Sequence, residues 1–227
     1  MPRFLCALLA TAIAAGAAAS ESPPLEPIVF ESARSPGAAS GILGLGISDQ
    51  FWPGHRFYLD SPVRVSGVGG GITNAESSSL TAFAALVSLS GPQDFPDALD
   101  LDAGDLVATS LVDLPAGISA DVTVPLEADL EPGWYALVFG FDAFGASNKP
   151  DNPGVSLHSH LVDTQPDQSA FVAVQTFLGG EGLFHRSPPT TLIRTFVRGR
   201  VVPEAASGVM AALGVGFVCC KRRMPRP

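Results

Sequence analysis

Short apolar runs separated by turn-forming residues constrain the fold of this chain more than any other feature. The sequence holds 24 glycines and 20 prolines among 227 residues, and no convincing amphipathic helix stands between them. Residues 118–126 show the pattern best, because apolar and polar side chains alternate with the two-residue period of a half-buried strand. Repeated along the chain, this pattern predicts an all-β protein, a single antiparallel β-sandwich that is jelly-roll-like.

The same reasoning predicts the individual strands. Besides 118–126, they are 28–30, 42–47, 55–59, 62–68, 81–89, 105–112, 134–139, 155–162, 170–178 and 193–201. The turn residues 131–133 predict that 118–126 and 134–139 pair as a hairpin. The glycine run 67–71 has neither the following helix nor the lysine of a phosphate-binding loop, so it is predicted to be a flexible turn or bulge.

The first 19 residues have the three parts of a secretory signal peptide. Arg3 gives a positive start, an alanine-rich apolar helix follows, and residues 17–19 form a small-residue cleavage site. A permanent N-terminal membrane anchor is the alternative. Residues 20–38 are rich in Ser, Pro, Glu and Ala and are interpreted as a flexible arm, and residues 39–202 as the sandwich domain.

Residues 203–227 form a tail with an apolar part and a basic end. The run 205–220 has 16 residues without a charge. As a helix it would span ~24 Å, somewhat less than the ~30 Å hydrocarbon core of a bilayer. The basic cluster Lys221, Arg222 and Arg223 can reach the headgroups and would lie on the cytoplasmic side. We therefore expect a short transmembrane helix over 205–220, with an apolar core element of the domain as the alternative.

Immediately before this run stand Val202, Pro203, Glu204 and Ala205. Motif, apolar run and basic end together resemble the PEP-CTERM sorting signal of Gram-negative bacteria, in which a second proline usually stands where this chain has Ala205. The resemblance implies an exosortase-type membrane enzyme as a partner, with cleavage near the motif, and the signal peptide implies signal peptidase as a second partner. It implies transient anchoring in the inner membrane, then delivery to the outer surface or extracellular matrix. The upstream part resembles sandwich domains of unassigned function that often precede such tails, in residues 86–94, 103–109 and 130–140.

Composition excludes several classes of function. The cysteines all lie in the predicted signal peptide or tail, so the domain has no disulfide and no thiolate metal site. Residues 20–204 hold 8 basic and 22 acidic side chains, a net charge of −14. A nucleic-acid partner is not expected, because phosphate binding needs clustered Lys and Arg. The sequence motifs of serine hydrolases, zinc proteases and nucleotide-binding loops are missing.

Two sets of residues are candidate metal ligands. Asp100, Asp102 and Asp105 surround a glycine, as carboxylates in a calcium loop do, although a solvated acidic turn is the alternative. His158 and His160 would share one face of a strand and could bind a metal. The further ligands of that second site would be His185 or Asp163. Its alternative is a pair of exposed polar residues on a strand.

The third candidate site is aromatic. Trp52, His55 and Tyr58 lie in or next to a segment whose Pro53 and Gly54 predict a turn. An exposed aromatic platform there could bind sugars, and the loop 141–151 is a second candidate platform. The alternative is that these aromatic side chains fill the core.

Taken together, these features predict a secreted, non-enzymatic cell-envelope or extracellular-matrix protein. The alternative is a carbohydrate- or calcium-dependent module that binds exopolysaccharide. A secreted hydrolase that uses two carboxylates is a further alternative. No cofactor is expected apart from that calcium.

Overall fold

The computed structural model describes residues 25–34, 44–96, 101, 104–147, 150, 154–158, 162–163, 170–174, 183–186 and 193–203. Within them the secondary structure is entirely β. The strands are β1 (Ile28–Glu31), β2 (Ala33–Arg34), β3 (Leu45–Gly46), β4 (Phe51–Leu59), β5 (Val63–Asn74), β6 (Leu80–Leu89), β7 (Leu106–Leu114), β8 (Ser119–Leu130), β9 (Gly133–Gly140), β10 (Val155–Leu157), β11 (Val162–Asp163), β12 (Ala170–Val174), β13 (Leu183–Arg186) and β14 (Thr195–Val201). This part of the chain includes no helix with the length and apolarity that a membrane crossing requires. The predicted signal helix and the tail from Glu204 onward lie outside the described residues.

Two antiparallel sheets carry the fold. The first sheet has the order β1-β14-β5-β10-β3, and β8 pairs with the other edge of β5. The second sheet has the order β13-β12-β4-β9-β6-β7. A short ladder joins β2 to β11. Strand β5 is long enough to pair with β14 along its first part and with β10 along its last part.

The main core lies between the two sheets and makes the arrangement sandwich-like. Val68 and Ile72 reach it from the first sheet, and Phe57 and Leu59 reach it from the second. This placement follows from period two, which directs alternate side chains of each strand to one face. Removing this apolar surface from water, at roughly 25 cal/mol per Å², is the main stabilising term for a domain without cysteine.

A second, smaller core covers the outer face of the second sheet. Trp52, Phe83 and Val138 form its floor, and Leu101 and Ala146 from two loops lie over them. Strand β9 is therefore buried on both faces, as its uninterrupted apolar sequence predicts. Its residues 135, 137 and 139 face the main core, and residues 136 and 138 face the second core.

The predicted hairpin between residues 118–126 and 134–139 is wrong. Strand β8 pairs with β5 in the first sheet, whereas β9 pairs with β4 and β6 in the second. The turn at 131–132 therefore carries the chain from one sheet to the other. The physical reason is burial: β8 has one apolar face and suits a sheet edge, whereas β9 is apolar on both faces and needs a sheet that is covered on both sides.

The glycine run 67–71 is not a turn, although a bulge does adjoin it. It lies within β5, paired with β8 on one edge and with β14 on the other, and the register shifts between Val65 and Gly67. A Cβ on Gly69 would stand 2.5 Å from a ring carbon of Phe196, and one on Gly71 would stand 2.7 Å from Nδ1 of His158. Glycine occupies these positions because two rings lie directly on the strand backbone.

Candidate functional site

The residues of the predicted aromatic platform, Trp52, His55 and Tyr58, do not form one exposed surface. All three lie in β4, whose residues 51–55 pair with β12, so the predicted turn at Pro53 and Gly54 is wrong. Trp52 is 5% exposed and packs edge-on against a ring of the second core, and His55 is 2% exposed. Neither can form an exposed platform. Of the three residues, only Tyr58, which is 49% exposed, is accessible on the surface.

Tyr58 instead forms an exposed aromatic pair with Trp134. The two residues lie opposite each other on β4 and β9, with ring centroids 5.3 Å apart. Trp134 is half-buried, and Leu89 of β6 lies on its other side. Cross-strand aromatic pairs of this kind stabilise a sheet and present an apolar surface with polar tips. No local pattern in the sequence indicates that Trp134 faces Tyr58, because the pairing depends on the sheet order.

Of the predicted calcium ligands, the structure describes only Asp105. It is half-buried just before β7, and its backbone carbonyl accepts hydrogen bonds from the amide and the hydroxyl of Ser88, at 2.8 and 3.0 Å. Asp100 and Asp102 lie outside the described residues, so the calcium site stays a prediction. The described part of the chain contains no group of three His, Cys, Asp or Glu residues that could hold a metal ion.

His158 follows β10 and is buried, so it is not the exposed strand residue that the alternative expected. Its Nε2 lies 3.0 Å from Oγ1 of Thr73 and 3.4 Å from Oγ of Ser119, and the two hydroxyl oxygens are 2.9 Å apart. Burial lowers the pKa of the imidazole below its ordinary value of 6.5, so His158 is neutral at pH 7. The described side chains do not include the other members of the predicted metal set, His160, Asp163 and His185.

Arg194, immediately before β14, is the most highly connected buried charge on the first sheet. Its Nε and Nη2 donate to the two carboxylate oxygens of Asp121, each at 2.7 Å. Its Nη1 donates to Oε1 of Glu31 at 2.5 Å. Burial by itself would raise the pKa of the Glu31 carboxyl, but the hydrogen bonds from Arg34 and Arg194 outweigh it and hold that pKa below 4.5. One guanidinium thereby connects the β1, β8 and β14 segments.

The His158 and Arg194 contacts together cross-link the outer face of the first sheet. A hydroxyl within 3.0 Å of a neutral imidazole is also the geometry of a nucleophile and its base. Here, however, the two hydroxyls and the imidazole bind one another, and the neighbouring Arg194 is matched by Asp121 and Glu31. We interpret the contacts as a structural network that fixes five segments of the chain, those of β1, β5, β8, β10 and β14.

A polar groove lies on the first sheet near the start of β5, away from the network of His158 and Arg194. Three register shifts lie next to one another across that sheet, one in each of the β1–β14, β14–β5 and β5–β8 ladders. Such bulges bend strands and redirect their side chains. The groove beside them has a volume of about 650 Å³, which is the size of many ligand sites. It is lined by Glu26, Arg64, Val65, Ser66, Glu127, Ala128, Asp129 and Arg200.

The predicted sorting motif begins where the folded domain ends. Strand β14 ends at Val201, and the amide of Val202 donates to the carbonyl of Pro62 at 2.8 Å. Val201 and Val202 are 55% and 37% exposed, and Pro203 is also exposed. Because Pro62 is four residues after Tyr58, the motif leaves the sandwich at the end that carries the aromatic pair. The rest of the motif and the basic cluster lie outside the described residues, from Glu204 and Ala205 to Lys221, Arg222 and Arg223.

A comparison with models of protein families finds no family that matches this chain. A comparison with curated proteins likewise finds no matching sequence. The function is therefore inferred from the residues of the chain itself.

Proposed function

We propose that this chain is an exported, non-enzymatic protein of the cell envelope or extracellular matrix, sorted by its C-terminal tail. The junction at residues 201–203 carries the proposal. A tail that is cut off during sorting must leave the domain intact. Every strand that the structure describes ends before Pro203, so cleavage at residues 203–205 would leave all of these strands and their ladder hydrogen bonds in the released domain.

In this proposal the signal helix, residues 1–19, directs export and is removed by signal peptidase. The helix 205–220 then holds the protein in the inner membrane, with its basic end in the cytoplasm, until an exosortase-type enzyme acts. The released domain joins the outer surface or matrix of a Gram-negative cell. We also propose a jelly-roll-like topology, supported by the five connections β3–β4, β4–β5, β5–β6, β7–β8 and β8–β9, which each cross from one sheet to the other.

The test is the C-terminus of the mature protein. We expect mass spectrometry of the full chain, expressed in a Gram-negative host with an exosortase, to find an end near residues 203–205. Glu204→Ala should leave the protein in the inner membrane with Cys220 retained. Glu131→Ala, an exposed carboxylate at the same end of the domain, is the matched control and should be processed normally. Retention of Cys220 in the wild-type protein, or a cytoplasmic location, would refute the proposal.

A second candidate function is exopolysaccharide binding, and the groove on the first sheet favours it. Its arginine and carboxylate side chains, such as the exposed Arg64–Asp129 pair at 2.8 Å, offer donors and acceptors for sugar hydroxyls. A glycan array probed with the mature protein, with and without Ca²⁺, tests it. Binding that is lost in Arg64→Ala would support the groove, and an array without any bound glycan would remove this candidate.

A further inference from the structure

We propose that the end of the sandwich that carries the aromatic pair rests on the membrane while the tail is inserted, with Tyr58 and Trp134 in the headgroup layer. The inference rests on the proposed function, since it needs residues 205–220 in a bilayer. To that function it adds a contact between the folded domain and the membrane surface. The partner is a lipid surface, and the contact holds the sorting motif in a fixed position above the membrane.

The first argument is the length of the connection. Val202 is held on the domain by its hydrogen bond to Pro62, at 2.8 Å, and the uncharged run begins at Ala205. Three residues span at most ~11 Å when fully extended. The polar layer on each side of a bilayer is ~5–8 Å thick. The turn that contains Pro62 therefore cannot lie far outside the headgroups.

The second argument is that the predicted helix has no spare length. Its 16 residues span ~24 Å, which is ~6 Å less than a typical hydrocarbon core. A short span is accommodated by thinning of the bilayer and by drawing the flanking residues inward. At the cytoplasmic end, the long side chains of Lys221 and Arg222 can extend to the headgroups. At the other end the flanking structure is the folded domain, which is pulled against the surface.

The third argument is the chemistry of the side chains at this end. Tyr58 is half exposed, Trp134 is half-buried beside it, and both have a polar tip on an apolar ring. Trp and Tyr are the residues that concentrate at membrane interfaces. The exposed Val201 and Val202 add apolar surface where the chain leaves the domain. Both groups therefore lie at the end of the sandwich where the tail leaves, the aromatic pair on the outer face of the second sheet and Val201 and Val202 on the first sheet.

The charges at this end select the kind of lipid surface. Asp60, Asp129 and Glu131 are exposed there, and so are two basic residues, Arg64, which pairs with Asp129 at 2.8 Å, and Arg200. Glu127 is exposed as well, so carboxylates remain in excess at this end and anionic headgroups would repel it. The contact must then be apolar, made with zwitterionic lipids such as phosphatidylethanolamine. Vesicles rich in an anionic lipid should weaken it.

The chain offers an internal control for a test, because it has two tryptophans in different surroundings. Trp52 is 5% exposed in the second core, and Trp134 belongs to the aromatic pair. The full chain is reconstituted in vesicles of phosphatidylethanolamine and a phosphatidylcholine brominated near the glycerol end of its acyl chains. Trp52→Phe then reports on Trp134 alone, and Trp134→Phe reports on Trp52.

We expect the bromine to reduce the emission of Trp134 about two-fold and to leave that of Trp52 nearly unchanged, because only Trp134 lies at the interface. Tyr58→Ser, a change at an exposed position, should diminish the quenching of Trp134. If Trp52→Phe does not fold, the same measurement is made on the wild-type protein. Its emission comes from both tryptophans, and bromine should quench only the part that comes from Trp134.

The outcomes separate this inference from the proposed function. Protein that floats with the vesicles but shows equally weak quenching of both tryptophans would overturn the membrane contact alone. Protein that does not float would show that the tail does not insert, and would overturn both. A shift of Trp134 emission on adding a neutral polysaccharide, without quenching by bromine, would assign the aromatic pair to sugar binding and overturn the membrane contact.

Discussion

Replacing Gly69 with alanine tests the position of the glycine run inside β5. The new Cβ would collide with the carbonyl oxygen of Val122 on β8, and would stand 2.5 and 2.6 Å from two ring carbons of Phe196. Phe196 is 1% exposed, with the guanidinium groups of Arg194 and Arg198 at 5.3 and 5.4 Å from its ring centre. The ring has little room to move, and the carbonyl moves only if the ladder opens. Overpacking of this kind costs about 1–3 kcal/mol, and the backbone contact places Gly69→Ala at about 3 kcal/mol.

For a domain of this size, a loss of 3 kcal/mol lowers Tm by about 6–12 °C. Thermal unfolding of the purified protein, followed by far-UV circular dichroism, measures the change. Gly91→Ala is the matched control, because a Cβ there meets nothing within 4 Å. It should leave Tm unchanged or raise it by a few degrees through the reduced entropy of the unfolded chain. A Tm of Gly69→Ala that equals the wild-type value would refute the packed strand and favour a flexible turn.

The remaining predictions concern the buried polar groups. Because burial lowers the pKa of His158, the unfolded chain binds a proton that the folded protein resists, so stability should decrease as the pH falls below 6.5. Chemical denaturation between pH 7.5 and about 5 should show this slope, and His158→Gln should flatten it; an unchanged slope would contradict the assignment. Arg194→Met should cost about 3 kcal/mol, because it leaves Asp121 without the guanidinium that binds both of its carboxylate oxygens and removes one of the two arginine partners of Glu31. Arg34→Met, with a side chain that is 72% exposed, should cost less than about 1 kcal/mol, and equal losses would show that Arg194 is not the main connection. The lowered pKa of Glu31 adds a separate loss of stability below pH 4.5, which Glu31→Gln should remove.

Strand positions could be predicted because period two is a local signal. The segment 81–89 was expected to be a strand despite its alanines, and β6 spans Leu80–Leu89. The last strand and the short strand of the N-terminal arm were also predicted, and they pair with each other as β14 and β1. Apolar residues on both faces correctly indicated that β9 is covered on both sides.

The candidate sites were harder to predict, because each depends on contacts between distant parts of the chain. Trp52 and His55 were expected in a turn, yet both lie in a paired strand. Two covering loops bury Trp52, whereas His55 faces Phe30 of the other sheet, with ring centroids 5.9 Å apart. Glu31 and Arg194 are 163 residues apart in sequence, and no pattern near either one indicates the other. The partner of Tyr58 could not be identified until β9 was placed beside β4.

The amino-acid pattern was sufficient to predict the all-β class, which the described residues have, the approximate place of most strands, and an export signal and a sorting tail at the two ends. Those properties follow from local periodicity, turn residues and uncharged runs. Tertiary contacts alone show which strands pair, that the glycine run lies under the rings of Phe196 and His158, and that Val202 is bonded to Pro62 at the end of the sandwich that carries the aromatic pair. The reason is that alternation specifies which face of a strand is apolar but not which strand covers that face, and the choice of neighbour is made by burial over the whole domain.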